Sequence, residues 1–69
     1  MAYSLTPKGK STAEHVSRVR DVESAFLAYL YEHGEPVEAE ELIGEIRVDD
    51  EVGLRALNRL IARGHVTEV

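Results

Sequence analysis

Cysteine is absent from this 69-residue chain. Without it no disulfide can staple a core that chain length already limits, and no thiolate zinc site can form. A reducing cytoplasm is the expected compartment. No apolar run approaches the roughly 18 residues of a membrane span, and no secretory leader is visible, so no membrane partner is expected. Internal repeats and low-complexity tracts are also missing. His15, His33 and His65 stand at spacings that suit no metal site, so neither a metal nor another cofactor is expected. There is no nucleophile motif, no phosphate-cradling glycine loop and no carboxylate pair placed for acid–base work. An enzyme is not the expectation.

What remains is 43% hydrophobic and 30% charged, which suits one small folded domain over residues 1–69. A chain of this size buries only about 60% of its unfolded surface, so its core is a single small cluster. The net charge is −5, but the sign varies along the chain. Residues 1–20 carry Lys8, Lys10, Arg18 and Arg20 against Glu14 alone. Residues 21–51 carry eleven acids against Arg47, and residues 52–69 carry Arg55, Arg59 and Arg63 against Glu68. A dedicated non-specific nucleic-acid binder would be basic overall. An acidic middle between basic ends does not by itself choose a partner.

Residues 1–10, MAYSLTPKGK, place Tyr3 and Leu5 at period two, which suits a short strand that Pro7 and Gly9 end. A flexible basic arm is the alternative. Ser11 and Glu14 have capping-box spacing and open a helix expected over residues 11–33. Val16, Val19, Val22, Phe26, Tyr29 and Leu30 recur along it at three and four, supplemented by Leu27. The helix runs unbroken, or its well-packed part starts near Arg20 after a looser lead-in. Gly34 and Pro36 stop it.

Val37 can add one bridging strand residue before a second helix over residues 38–47. That helix turns Leu42, Ile43 and Ile46 inward and Glu38, Glu40, Glu41 and Glu45 outward. Acids in its first turn suit the positive end of the helix dipole. Gly44 weakens it by roughly 1 kcal/mol, which points to a close approach by another helix. A short turn leads to a third helix over residues 50–63, with Asp49 as N-cap and Asp50 and Glu51 in the first turn. Leu54, Leu57 and Ile61 fall on one side of it, with Gly53 and Leu60 beside them. Arg55, Arg59 and Arg63 fall opposite. Gly64 closes the helix, and residues 65–69, HVTEV, read as a strand.

The stretches AYLYEHGEPVEAEELIGEI and LRALNRLIARGHV together resemble a winged helix-turn-helix domain. In that superfamily the first helix ends at a Gly-containing corner and the second opens on an acidic turn. The third ends in the pattern that Leu57, Leu60, Gly64 and Val66 carry here. The resemblance spans residues 20–69. It implies an α+β, mostly helical fold: a three-helix core with a small two-stranded antiparallel sheet. Two positions depart from the pattern, since Ile43 stands where the family has a small residue and Arg47 where it has the turn glycine. A wing also needs a returning strand, and none is expected after Val69. YSLTPKGK resembles the segment that comes after the wing in multiple-antibiotic-resistance-type regulators. Tyr3–Thr6 is therefore expected to pair antiparallel with His65–Glu68, within one chain or between two.

The resemblance implies a small DNA-binding, transcription-regulator-like protein that docks its third helix in a groove of double-stranded DNA. Arginine suits phosphate and guanine, and Asn58 suits adenine. The expected DNA contacts are Arg55, Asn58, Arg59 and Arg63, with Lys8 and Lys10 as a basic arm. Ion pairing of Arg55 with Glu51 on a solvated face is the plainer reading of the same stripe. The alternative function is a protein-interaction module that presents the acidic second helix or the first helix to a protein partner. Val16 and Val19 extend the first apolar stripe beyond what three helices need to cover. With Tyr3 and Leu5 they are the expected contacts of a homodimer.

Overall fold

Thr6 and Pro7 end the first strand by beginning a helix, so the chain has an additional helix ahead of the three expected. The computed structural model describes residues 1–16 and 18–69. The chain runs β1 (Ala2–Leu5), α1 (Pro7–Glu14), α2 (Val22–His33), β2 (Val37–Glu38), α3 (Ala39–Ile46), α4 (Asp50–Ala62) and β3 (Val66–Glu68). The fold is α+β, four helices with one three-stranded antiparallel sheet.

The helix expected over residues 11–33 does not run unbroken: α2 starts at Val22, close to the alternative start near Arg20, and a separate helix precedes it, with residue 17 of that span outside the described set. Thr6 caps the first, not Ser11. Its hydroxyl accepts from the Gly9 amide at 3.0 Å, and Pro7 fills the first helical position, where no amide donor is needed. The second helix has its own start, a reciprocal capping box. The Ser24 amide donates to Asp21 Oδ1 at 2.8 Å, and the Asp21 amide donates to Ser24 Oγ at 3.0 Å. Val16 and Val19 consequently lie outside both helices, Val16 half-buried and Val19 58% exposed. They do not extend the α2 stripe, and their expected role as dimer contacts loses its geometric basis. Gly34 ends α2 with φ 76°, the left-handed conformation usual for a helix stop.

β1 is the central strand, antiparallel to both neighbours in the order β2-β1-β3. Tyr3 faces Glu68, Ser4 faces Thr67 and Leu5 faces Val66, so the two ends of the chain pair within one molecule. Ala2 opposite Glu38 and Tyr3 opposite Val37 add a third strand to the two expected. Tyr3 and Leu5 lie half-buried against this chain's own core. The most deeply buried side chains are Phe26, Leu42, Leu57, Leu60 and Val37, one or two from each of α2, β2, α3 and α4. Each stabilises the fold by about 1.5–3 kcal/mol relative to exposure.

α4 faces the core differently from the expectation. Gly53, Ala56, Leu57 and Leu60 are inward, whereas Leu54 is 48% and Ile61 39% exposed. At about 100° per residue the buried face is rotated by roughly 80° from the Leu54–Leu57–Ile61 side. The cause is small residues that let helices meet closely. A Cβ added to Gly53 would stand 2.6 Å from Ile43 Cγ1 on α3, while one added to Gly44 would meet nothing within 4 Å. The close approach expected at Gly44 is made at Gly53. α3 and α4 are joined by Arg47, Val48 and Asp49. Arg47 adopts φ 62° and ψ 50°, the backbone conformation a turn glycine would supply.

Gly44→Ala should raise stability by about 0.5–1 kcal/mol through helix propensity, or about 4–8 °C in Tm per kcal/mol. Gly53→Ala adds the same propensity but should lower Tm, because Ile43 must move. Thermal unfolding of both variants checks this; a Gly53→Ala protein as stable as Gly44→Ala would overturn the packing described.

Candidate nucleic-acid interface

The arginine stripe of α4 is solvent-exposed, and each guanidinium has found an acid. Arg55 Nη2 lies 2.7 Å from Glu51 Oε1 one turn earlier. Arg63 Nη1 lies 2.7 Å from Glu23 Oε1, and Arg59 Nη1 lies 3.6 Å from Glu23 Oε2. The Arg55 pair is surface chemistry worth a few tenths of a kcal/mol. Glu23 is different, because its side chain is only 15% exposed and it ties the first turn of α2 to the last turns of α4.

Lys8 is not part of a flexible arm. Its ammonium donates to the Arg63 carbonyl at 2.9 Å, and the Thr6 hydroxyl donates to the Gly64 carbonyl at 2.6 Å. A cation thus sits on the carbonyl end of α4, where the helix dipole favours it. Lys10 is exposed and borders a different groove, with Ser4, Leu5, Leu30, Tyr31, Gly34 and Glu35. The two lysines therefore part company, and only Lys8 lies beside the arginines.

Arg18 and Arg20 join the site, although the sequence did not single them out. They line a groove with His15, Val16, Asp21 and Ser24. That groove shares Asp21 with a second one of about 230 Å³ between α2 and α4, lined by Val22, Glu23, Val52, Arg55, Ala56 and Arg59. The Ser24 amide and hydroxyl hold the Asp21 carboxyl below its ordinary pKa, with smaller contributions from Arg63 and Arg20. The basic ends of the chain thus converge around the start of α2, from which Lys8, Arg18, Arg20, Arg55, Arg59 and Arg63 radiate. An excess of basic residues in positions 1–20 was the available signal. A helix drawn through residues 11–33 hid where two of them go.

Other acids lie away from this seam. Glu40, Glu41 and Glu45 are exposed on α3, which packs on the Gly53 flank of α4 rather than the arginine flank. The Tyr29 hydroxyl donates to Glu41 at 3.0 Å and the Tyr31 hydroxyl to Glu14 at 3.2 Å, and these bonds raise both phenol pKa values. The N-terminal ammonium pairs with Glu38 at 2.8 Å, which raises its pKa. Asp49 stands at the N-cap of α4 but makes no side-chain capping bond. With Asp50 it serves the helix through charge on the dipole, and Glu51 adds its pair with Arg55. Asn58 is exposed between Leu54 and Ile61 and makes no side-chain hydrogen bond among the described residues.

The three histidines stay apart, each in local use. His15 Nδ1 lies 2.7 Å from the Ser11 carbonyl, His33 stacks on Tyr29 at 5.7 Å, and His65 Nε2 lies 3.3 Å from Thr12 Oγ1. Compared with known protein families, curated proteins and solved structures, the chain matches none of the three.

Asp21→Ala should cost about 1 kcal/mol at neutral pH by removing the cap of α2. The folded-state pKa of Asp21 is lowered, so its stabilisation is complete above the ordinary carboxylate pKa and is lost as pH falls through the lowered value. The gap in Tm between wild type and Asp21→Ala should accordingly narrow on acidification. A gap that stays constant down to acid unfolding would contradict the cap.

Proposed function

We propose that this chain is a small DNA-binding protein that grips the phosphate backbone of double-stranded DNA with the arginine face along α4 and the start of α2. What supports the reading is the convergence of Lys8, Arg18, Arg20, Arg55, Arg59 and Arg63 around one seam, where they outnumber Asp21, Glu23 and Glu51. Guanidinium forks suit phosphate oxygens, and phosphate contacts supply most of the affinity of a sequence-tolerant binder. Duplex DNA fits better than single strands, because the aromatic side chains are on other faces: Phe26 is buried, and Tyr29 and Tyr31 pair with Glu41 and Glu14.

The acids constrain how α4 meets the duplex. A recognition helix that enters a groove tip first would bring Asp49, Asp50 and Glu51 against phosphate. α4 instead lies along the duplex by its middle and C-terminal half. Phosphates then replace Glu51 on Arg55 and share Arg59 and Arg63 with Glu23. The order of α2, β2, α3, α4 and β3 matches that of a winged helix-turn-helix domain, and β1 pairs with β3 as a wing's returning strand would. This order supports a role like that of a transcription regulator. One observation favours the other reading, a protein-interaction module that uses α3: all three α4 arginines already have carboxylate partners.

Binding to a mixed-sequence duplex should weaken steeply with salt, with log K against log[salt] falling by about 0.9 for each phosphate neutralised. Arg55→Glu/Arg59→Glu should abolish binding and Arg20→Glu should flatten the slope, while Lys10→Glu should leave both unchanged. If wild type shows no duplex binding at low salt, the protein-partner reading through Glu40, Glu41 and Glu45 replaces this one.

A further inference from the structure

We infer that Glu23 is a built-in counter-anion of the arginine face: it gathers Arg59 and Arg63 into one unit that takes a single phosphate group. The inference rests on the phosphate-binding role proposed for α4 and divides the labour among its arginines.

Two kinds of acid meet those arginines. Glu51 stands one turn from Arg55 on the same helix, and its side chain is 76% exposed. An incoming phosphate turns it aside into water easily, because such surface pairs are weak. Glu23 comes from another helix, and its side chain is only 15% exposed. It lies in the first turn of α2, where the helix dipole favours a carboxylate. Taking the arginines away from it would strand a largely buried charge, so it stays when phosphate arrives.

Glu23 does not block its partners by staying. Its Oε1 accepts one N–H from Arg63 at 2.7 Å, and its Oε2 stands 3.6 Å from Arg59 Nη1, beyond hydrogen-bond range. A guanidinium has more donors than one carboxylate oxygen can occupy. The side chains of Arg59 and Arg63 are 66% and 60% exposed, so most of each remains open to a ligand. Sharing one carboxylate also keeps the two guanidiniums within reach of the same phosphate. Two cations and one anion leave a single positive charge, which one phosphate neutralises. Arg55, once Glu51 has turned aside, takes a phosphate of its own. The three arginines of α4 therefore serve two phosphates.

The test compares Glu23→Gln with Glu51→Gln, which change the net charge equally and remove an acid from the same face. The probe is inorganic tripolyphosphate at low salt, followed by NMR through the side-chain N–H signals of Arg55, Arg59 and Arg63. Glu23→Gln should bind it at least about threefold more tightly than Glu51→Gln, because a fixed like charge beside the phosphates is gone. The added response should appear at Arg59 and Arg63. Glu23→Ala should show the same gain, although it lacks the amide that can still accept from Arg63. On mixed-sequence duplex DNA the salt slope of Glu23→Gln should steepen by about 0.9, while that of Glu51→Gln stays at the wild-type value.

If Glu23 serves stability alone, its variants lower Tm and leave tripolyphosphate affinity unchanged, and the inference is overturned. Equal affinities of Glu23→Gln and Glu51→Gln overturn it too, as do Arg59 and Arg63 signals that never respond. A protein that behaves as described with tripolyphosphate but binds no duplex loses the DNA reading and keeps the shared phosphate unit. One that binds duplex with equal slopes for both variants keeps the DNA reading and loses the unit.

Discussion

Docking of residues 6–9 onto the carbonyl end of α4 is the contact on which the rest of the structure depends. The Thr6 amide donates to the His65 carbonyl at 3.0 Å, the Thr6 hydroxyl to Gly64 at 2.6 Å and the Lys8 ammonium to Arg63 at 2.9 Å. These three donors satisfy the carbonyls of Arg63, Gly64 and His65, at and just beyond the end of α4. Gly9 permits the approach, since a Cβ there would overlap the His65 carbonyl oxygen. Once the junction forms, β1 is placed between β2 and β3, which do not pair with each other. A sheet of two- to four-residue strands has little stability without that middle member.

The same junction organises the charges. It carries Lys8 to the end of α4, while the separate caps of α1 and α2 leave Arg18 and Arg20 on the connection between them. Glu23 then holds Arg59 and Arg63 against the first turn of α2. A chain of net charge −5 thereby presents a local basic seam, in which six basic residues stand against Asp21, Glu23 and Glu51. These ion pairs are mostly exposed and individually weak. Arginines held that way exchange partners at little cost, as transient contact with a polyanion requires.

Much of the framework was legible from residue patterns. Gly34 and Gly64 as helix stops, the inward Leu42 and Ile43 and the outward glutamates of α3 come from local chemistry, whereas the antiparallel pairing of the two ends came from the resemblance that YSLTPKGK carries. What misled was apolar period without regard to caps. Val16 and Val19 matched the spacing of Val22 and Phe26, but Thr6 and the Asp21–Ser24 box each start a helix of their own. Leu54 and Ile61 looked inward on a helical wheel for a related reason. A wheel weighs hydrophobicity, whereas packing also weighs size, and Gly53 with Ala56 offered the closer fit.

By itself, then, the sequence determined where most helices stop, which residues are apolar enough to be buried, and that the chain is basic at its ends and acidic between. These are properties of single residues and their near neighbours. Tertiary structure alone decided that the N-terminal strand lies in the middle of the sheet, that α4 turns its small side inward, and that Arg18 and Arg20 join Arg55, Arg59 and Arg63. Each of these depends on which distant surfaces can approach closely, and the space left by a missing Cβ becomes visible only when its neighbour across the fold is in place.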